Sequence, residues 1–172
     1  MTATEFKVHL NGILTRLEML PDKIATESAD LFDQNFEQEG FFGNKWKQSM
    51  RTYRYEIRGE KNGKTLQDRG ALRKSIQYTV NGNTIVFTSN VPYASIHNEG
   101  GVIKHPGGTA YTNILGGASF FISNLGAAGH DYKRTKPHDI PMPQRQFVGG
   151  HPALLAAIED LIAKAIELRI EN

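Results

Sequence analysis

At 172 residues, with no cysteine, the chain can bury roughly 70% of its unfolded surface in one domain and cannot form disulfides or thiolate metal sites. No apolar run approaches the ~20 residues of a membrane span, and Glu5, Lys7 and His9 interrupt the start, so a chain neither exported nor membrane-bound is expected. The net charge of +2 hides an uneven distribution: residues 1–44 carry −5, residues 45–74 carry +7, and the remainder sums to zero. Such a dipole can draw nucleic acid to the basic part, or dock copies acidic side to basic side. A solvated mixed surface explains it as well.

Residues 3–38 repeat apolar side chains at helical spacing: Phe6, Leu10, Ile13, Leu14 and Leu17, then Ile24, Ala25, Leu31, Phe32 and Phe36. Pro21 lacks an N–H, which predicts one kinked helix or two abutting ones, ended by Gly40. The polar face is acidic. Phe41 to Trp46 is too aromatic for a free linker, and a loop pinned on the core explains it better than a ligand platform. Residues 48–64 read as a basic surface loop, in which Arg51, Tyr53, Arg54 and Tyr55 form a weak single-strand-binding signal.

Asp68 to Gly70 predicts a turn into a short helical segment holding Leu72 and Ile76. Ile76, Tyr78 and Val80, then Ile85 and Phe87, alternate with polar residues around Asn81-Gly82, the turn chemistry of a tight hairpin. Val91 to Gly101 follows. Asn90 suits the cap of a two-turn helix, Pro92 its opening and Gly100 a left-handed close. Tyr93, Ile96 and His97 share one side, expected to face the core.

Residues 100–138 are a glycine-rich excursion in which Thr109 to Leu115 and Ser119 to Leu125 can pair around Gly116-Gly117, with a basic return at Lys133, Arg134 and Lys136. A mobile arm over 102–138 is expected. Pro141 and Pro143 restrict the next stretch to extended or edge conformation. A final helix from Pro152 to Ile170 carries a wide apolar stripe, wide enough to meet a neighbouring subunit on its flank. The expected fold is α+β: a small antiparallel sheet on a central hairpin, packed by a kinked N-terminal helix, a short middle helix and a long C-terminal one. It is read as a single domain with regions 1–40, 41–64, 65–101, 102–138 and 139–172.

Three blocks stand in order. They are Leu66-x-Asp68-x-Gly70-x-Leu72-x-x-Ser75-Ile76, then Pro92-Tyr93-Ala94-x-Ile96-His97-x-x-Gly100-Gly101, then Ile140-Pro141-x-Pro143-x-Arg145-x-Phe147-Val148-Gly149. Together the blocks resemble the phage virion morphogenesis family, that of the phage Mu G protein and related tail-completion proteins. The resemblance implies a structural protein of tail completion or head–tail joining, acting as a ring, with no catalysis and no cofactor. It implies other copies, tail proteins and head-connector proteins as partners, no membrane, and a place in the host cytoplasm during assembly and then in the virion. It also implies that Gly70 and Gly100 supply unusual backbone angles, that Leu72, Ile76, Tyr93 and Ile96 pack the helix on the hairpin, and that Arg145 and Phe147 anchor the last segment.

Two other readings compete. Lys45, Lys47, Arg51, Arg54 and Arg58, with Lys133, Arg134 and Lys136, could contact DNA or a partner chain. A histidine-based metal hydrolase would draw on His97, Glu99, His105, His130, His138 or His151, but no histidine pair has the i, i+4 spacing of a helical zinc site. Ser95 beside His97 is no triad, because a triad is defined by geometry.

Overall fold

The computed structural model describes residues 3–57, 59, 63–114, 118–121 and 133–167. The chain divides into two compact units, residues 1–99 with 144–172, and residues 100–143.

In the first unit, α1 (Ala3–Glu18) and α2 (Leu20–Glu37) abut at Met19, with Pro21 in the first turn of α2 where its missing N–H costs nothing. The buried positions of α2 are Ala25, Ser28, Phe32, Asn35 and Phe36, a stripe at three- and four-residue spacing. Phe36, fully buried, packs with Leu72, Ala94 and Phe147. One turn earlier, Phe32 packs with Phe41 and Leu154, and half-buried Val148 touches both groups. α2 is therefore the spine of the unit. α6 (Pro152–Ile166) lies along it, opened by His151, whose Nδ1 accepts from the Ala153 amide at 3.1 Å.

Several expectations change. α2 ends at Glu37, and the left-handed residue after it is Glu39 (φ +50°), not Gly40. Gly40 opens a two-residue hairpin, β1 (Gly40–Phe41) with β2 (Asn44–Lys45), where a Cβ would stand 2.7 Å from the Asn44 carbonyl oxygen. Close backbone approach, not helix termination, is its reason for being glycine. The stretch read as a basic loop contains α3 (Met50–Ile57), because the Ser49 hydroxyl accepts from the Thr52 amide at 3.1 Å and caps it. α6 stops at Ile166, short of the expected Ile170, with residues 168–170 outside the described ones. Arg16 Nε donates to the Ala165 carbonyl at 2.9 Å, taking an acceptor that another helical turn would need.

α4 (Ala71–Lys74) leads into β3 (Ile76–Asn81), paired antiparallel with β4 (Thr84–Ser89). Asn81 pairs with Thr84, so the turn is Gly82-Asn83, one residue later than Asn81-Gly82, and of these two only Gly82 (φ +58°) has a positive φ. α5 (Ala94–Glu99) follows, and Gly100 (φ +76°) supplies the left-handed angle expected of it.

In the second unit, β5 (Gly101–His105) pairs antiparallel with β9 (His138–Met142), each an edge as the prolines require. β6 (Ala110–Ile114) pairs with β7 (Ala118–Phe121) as expected, and also with β8 (Lys133–Arg134). The rest of the expected mobile arm, 115–117 and 122–132, lies outside the described residues. The fold is α+β, with small antiparallel sheets and a C-terminal helix.

Since Phe36 ties α2 to Leu72 of α4, Ala94 of α5 and Phe147, Phe36→Ala is expected to lower unfolding free energy by about 3–5 kcal/mol, read from urea denaturation midpoints at unchanged slope.

Candidate functional site

The first block, the second as far as Glu99 and the third from Gln144 converge in the first unit. Residues 63–74 are held against α2 by side chains. Glu39 accepts from the Thr65 amide at 2.6 Å, Gln67 donates to the Phe36 carbonyl, and Arg73 grips Asp33 and Glu37. These contacts hold Arg73 well above the usual guanidinium range, first through Asp33 and then through Glu37. The same pairing, with Lys64, lowers Glu37. Gly70 (φ +70°) then turns the chain into α4, the angle the motif implies.

Ser75 has a definite task. Its hydroxyl donates to the Leu72 carbonyl at 2.7 Å, so it accepts from Ser89 Oγ at 2.7 Å, which in turn accepts from the Val91 amide at 3.2 Å. This chain of hydroxyls ties α4 to the approach of α5. Ser89, rather than Asn90, thus captures a backbone N–H ahead of that helix.

The third block runs extended across the unit. The Arg145 amide donates to the His97 carbonyl at 2.7 Å and its Nε to the Lys47 carbonyl at 2.7 Å. Asn98 Oδ1 accepts from the Phe147 and Val148 amides at 2.9 and 3.1 Å. Asn35 donates to the Phe147 carbonyl at 3.2 Å, and the Trp46 indole to the Gln146 carbonyl at 2.7 Å. Arg145 and Phe147 are both buried, as anchors should be.

Between these blocks is a cavity of about 340 Å³ whose lining includes Leu66, Asp68, Leu72, Tyr93, His97 and Arg145. Tyr93 was expected in the core, but it is 45% exposed; the buried residue of α5 is Ala94. The tyrosine ring meets His97 edge-on at 5.9 Å. His97 Nδ1 is buried with no hydrogen-bond partner. Burial, then the Arg145 charge, pushes His97 below its ordinary value, so the ring is neutral at pH 7. Burial also lowers Arg145, which stays charged as guanidinium groups do.

Of the other motif residues, Pro92 is exposed and Ile96 half-buried, while Gly100, Gly101 and Pro143 belong to the second unit. The basic candidates divide between the two units. Lys45 donates to the Gln38 carbonyl, Lys47 and Arg54 are exposed, Arg51 sits on α3 and Arg58 lies outside the described residues. Lys133, Arg134 and Lys136 fall in the second unit, where Arg134 donates to the Gly108 carbonyl at 3.0 Å. Of the histidines, His105 and His138 stack at 4.8 Å in the second unit, His151 caps α6, and His130 is outside the described residues. Among the described residues no three His, Asp or Glu side chains group to hold a metal ion, and no helix is long and apolar enough to cross a membrane.

Sequence reasoning passed over Asn35 and Asn98. Asn35 could have been found, as a polar residue inside the apolar stripe of α2; Asn98 falls in an unspecified position of the second block.

The architecture is that of a small α+β protein whose short sequence blocks serve to fasten loops around one recess. The chain belongs to the phage virion morphogenesis family, whose model matches residues 7–167. Its role is a structural one in building the phage particle. No curated protein and no solved structure matches it.

Asn98→Ala strands two amides and is expected to cost about 2–4 kcal/mol in urea unfolding, while Asn98→Asp, which keeps an acceptor, costs less. A lowered His97 pKa means the unfolded chain takes up the proton first as pH falls. Stability from this group is therefore intact above the ordinary value of 6.5 and declines below it. Thermal melts between about pH 7.5 and about pH 5.5 should show a larger loss in wild type than in His97→Gln.

Proposed function

We propose that this protein completes the phage tail or joins tail to filled head as a ring-shaped homo-oligomer, and that it catalyses no reaction. Its family membership over residues 7–167 carries the reading. Exposed apolar side chains support it: Val8 and Leu14 on α1 and Leu155 and Ile166 on α6 are more than a solitary surface needs. Its partners on this reading are other copies, tail proteins and the head connector, met in the host cytoplasm and kept in the finished particle.

The nucleic-acid reading loses ground. Arg73 and Lys64 are held by acids of α2, and Lys45 by a backbone carbonyl, so part of the basic stretch neutralises its own chain. Two measurements test the proposal. Phage lacking the gene should accumulate tails and filled heads that do not join, with joining restored by added protein; normal particles would overturn it. Native mass across about 0.1 to about 0.5 M salt should fall from ring to monomer if charge pairs hold the ring. A steep salt slope of DNA affinity at constant mass would favour the nucleic-acid reading instead.

A further inference from the structure

We propose that the cavity bounded by Leu66, Leu72, Tyr93, His97 and Arg145 receives a carboxylate side chain from α2 of a second copy of this chain. The inference rests on the ring reading and specifies one contact within it. Arg145 is 5% exposed, and a cation buried that deeply is costly unless paired. Its Nε is taken by the Lys47 carbonyl, but among the described residues nothing accepts from its two terminal amino groups and no carboxylate pairs with it. His97 lines the same recess, and its Nδ1 is buried without a hydrogen-bond partner among the described residues. One entering carboxylate would satisfy both, accepting the arginine fork and a hydrogen bond from the imidazole.

The walls suit such a guest. Leu66, buried Leu72 and the Tyr93 ring offer apolar surface to its methylene stem. Asp68 and Arg69, both exposed, also line the cavity, and their opposite charges offset each other toward an incoming acid. A DNA backbone fits less well, because duplex binding draws on a track of exposed bases, whereas one buried arginine in a recess admits a single side chain.

Charge points to a second copy as the source. Residues 1–44 carry −5, and within α2 the acids Asp33 and Glu37 are already held by Arg73. Asp22, Glu27 and Asp30 are the exposed acids that α2 has left to offer.

The test uses the full chain carrying Asp22→Asn, Glu27→Gln and Asp30→Asn, so that self-docking does not compete, and a blocked peptide of residues 18–31. Nuclear magnetic resonance should show the peptide moving the His97 ring signals and raising the His97 pKa, since an adjacent anion favours imidazolium beside Tyr93, Asp68, Arg69 and Arg145. Adding Arg145→Lys to this host, which keeps charge but loses the fork, should weaken peptide binding at least about tenfold. A peptide with the same three acids neutralised should not bind.

Unmoved His97 signals, or equal binding by the Arg145→Lys host, would overturn the proposal. So would short duplex DNA moving those signals while the peptide does not. Native mass separates this inference from the ring reading. A triple-substituted chain that still forms the wild-type ring, with no peptide binding, sinks only the cavity contact. Peptide binding by a wild-type chain that stays monomeric at every concentration sinks only the ring.

Discussion

The first unit depends on one fastening, the grip of side-chain amides on an extended segment that has no strand to pair with. Residues 144–148 follow Pro141 and Pro143, which cannot donate to a ladder, yet Arg145 and Phe147 in that segment are buried. A buried backbone must still place its N–H and C=O groups. Asn98 accepts from two successive amides, Asn35 and Trp46 donate to two carbonyls, and the His97 carbonyl takes the Arg145 amide. Side chains thus perform the work that a neighbouring strand would do in a sheet, and they leave both Arg145 and Phe147 buried.

That fastening connects core and cavity. Phe147 belongs to the group around Phe36, while Arg145, two residues earlier, lines the recess. The packing that stabilises the unit therefore also fixes where a buried cation sits. Asn35 couples the same region to the spine, since its oxygen accepts from the Phe42 amide while its nitrogen holds the Phe147 carbonyl. A buried amide satisfied on both sides confers position as well as stability.

Much of this was legible in the sequence, wherever local rules decide. The break at Pro21, the left-handed Gly100 and the β6–β7 pairing follow from residue type and spacing, while the Gly70 angle and the burial of Arg145 and Phe147 agree with what the family resemblance implies. What failed depends on a partner far along the chain. Gly40 looked like a helix stop because glycine commonly is one, yet its constraint is the Asn44 carbonyl across a hairpin. The Asn81-Gly82 pair misled by one residue because Gly-Asn is also a competent two-residue turn, and strand register selected it. Helix α3 was hidden because its bases outweigh a short apolar row, Met50, Tyr53 and Ile57, that stays exposed, and the Ser49 cap marks its start. Tyr93 had the right spacing for the core, but a six-residue helix can bury only one narrow side, and small Ala94 occupies it.

Charge follows the same logic. Read along the chain, residues 1–44 and 45–74 form a dipole that invites an external partner; folded, Arg73 and Lys64 turn back to Asp33 and Glu37 and spend part of it internally. These exposed or half-exposed pairs are screened by salt and contribute modestly to stability. Their effect is selective. By occupying the C-terminal acids of α2 they leave Asp22, Glu27 and Asp30 as its outward acids, while Arg145, enclosed by the clamped segment, is a buried cation with no carboxylate partner among the described residues. The chain thus neutralises part of its dipole at home and keeps a buried cation apart from the exposed acids of α2, the separation on which docking between copies would draw.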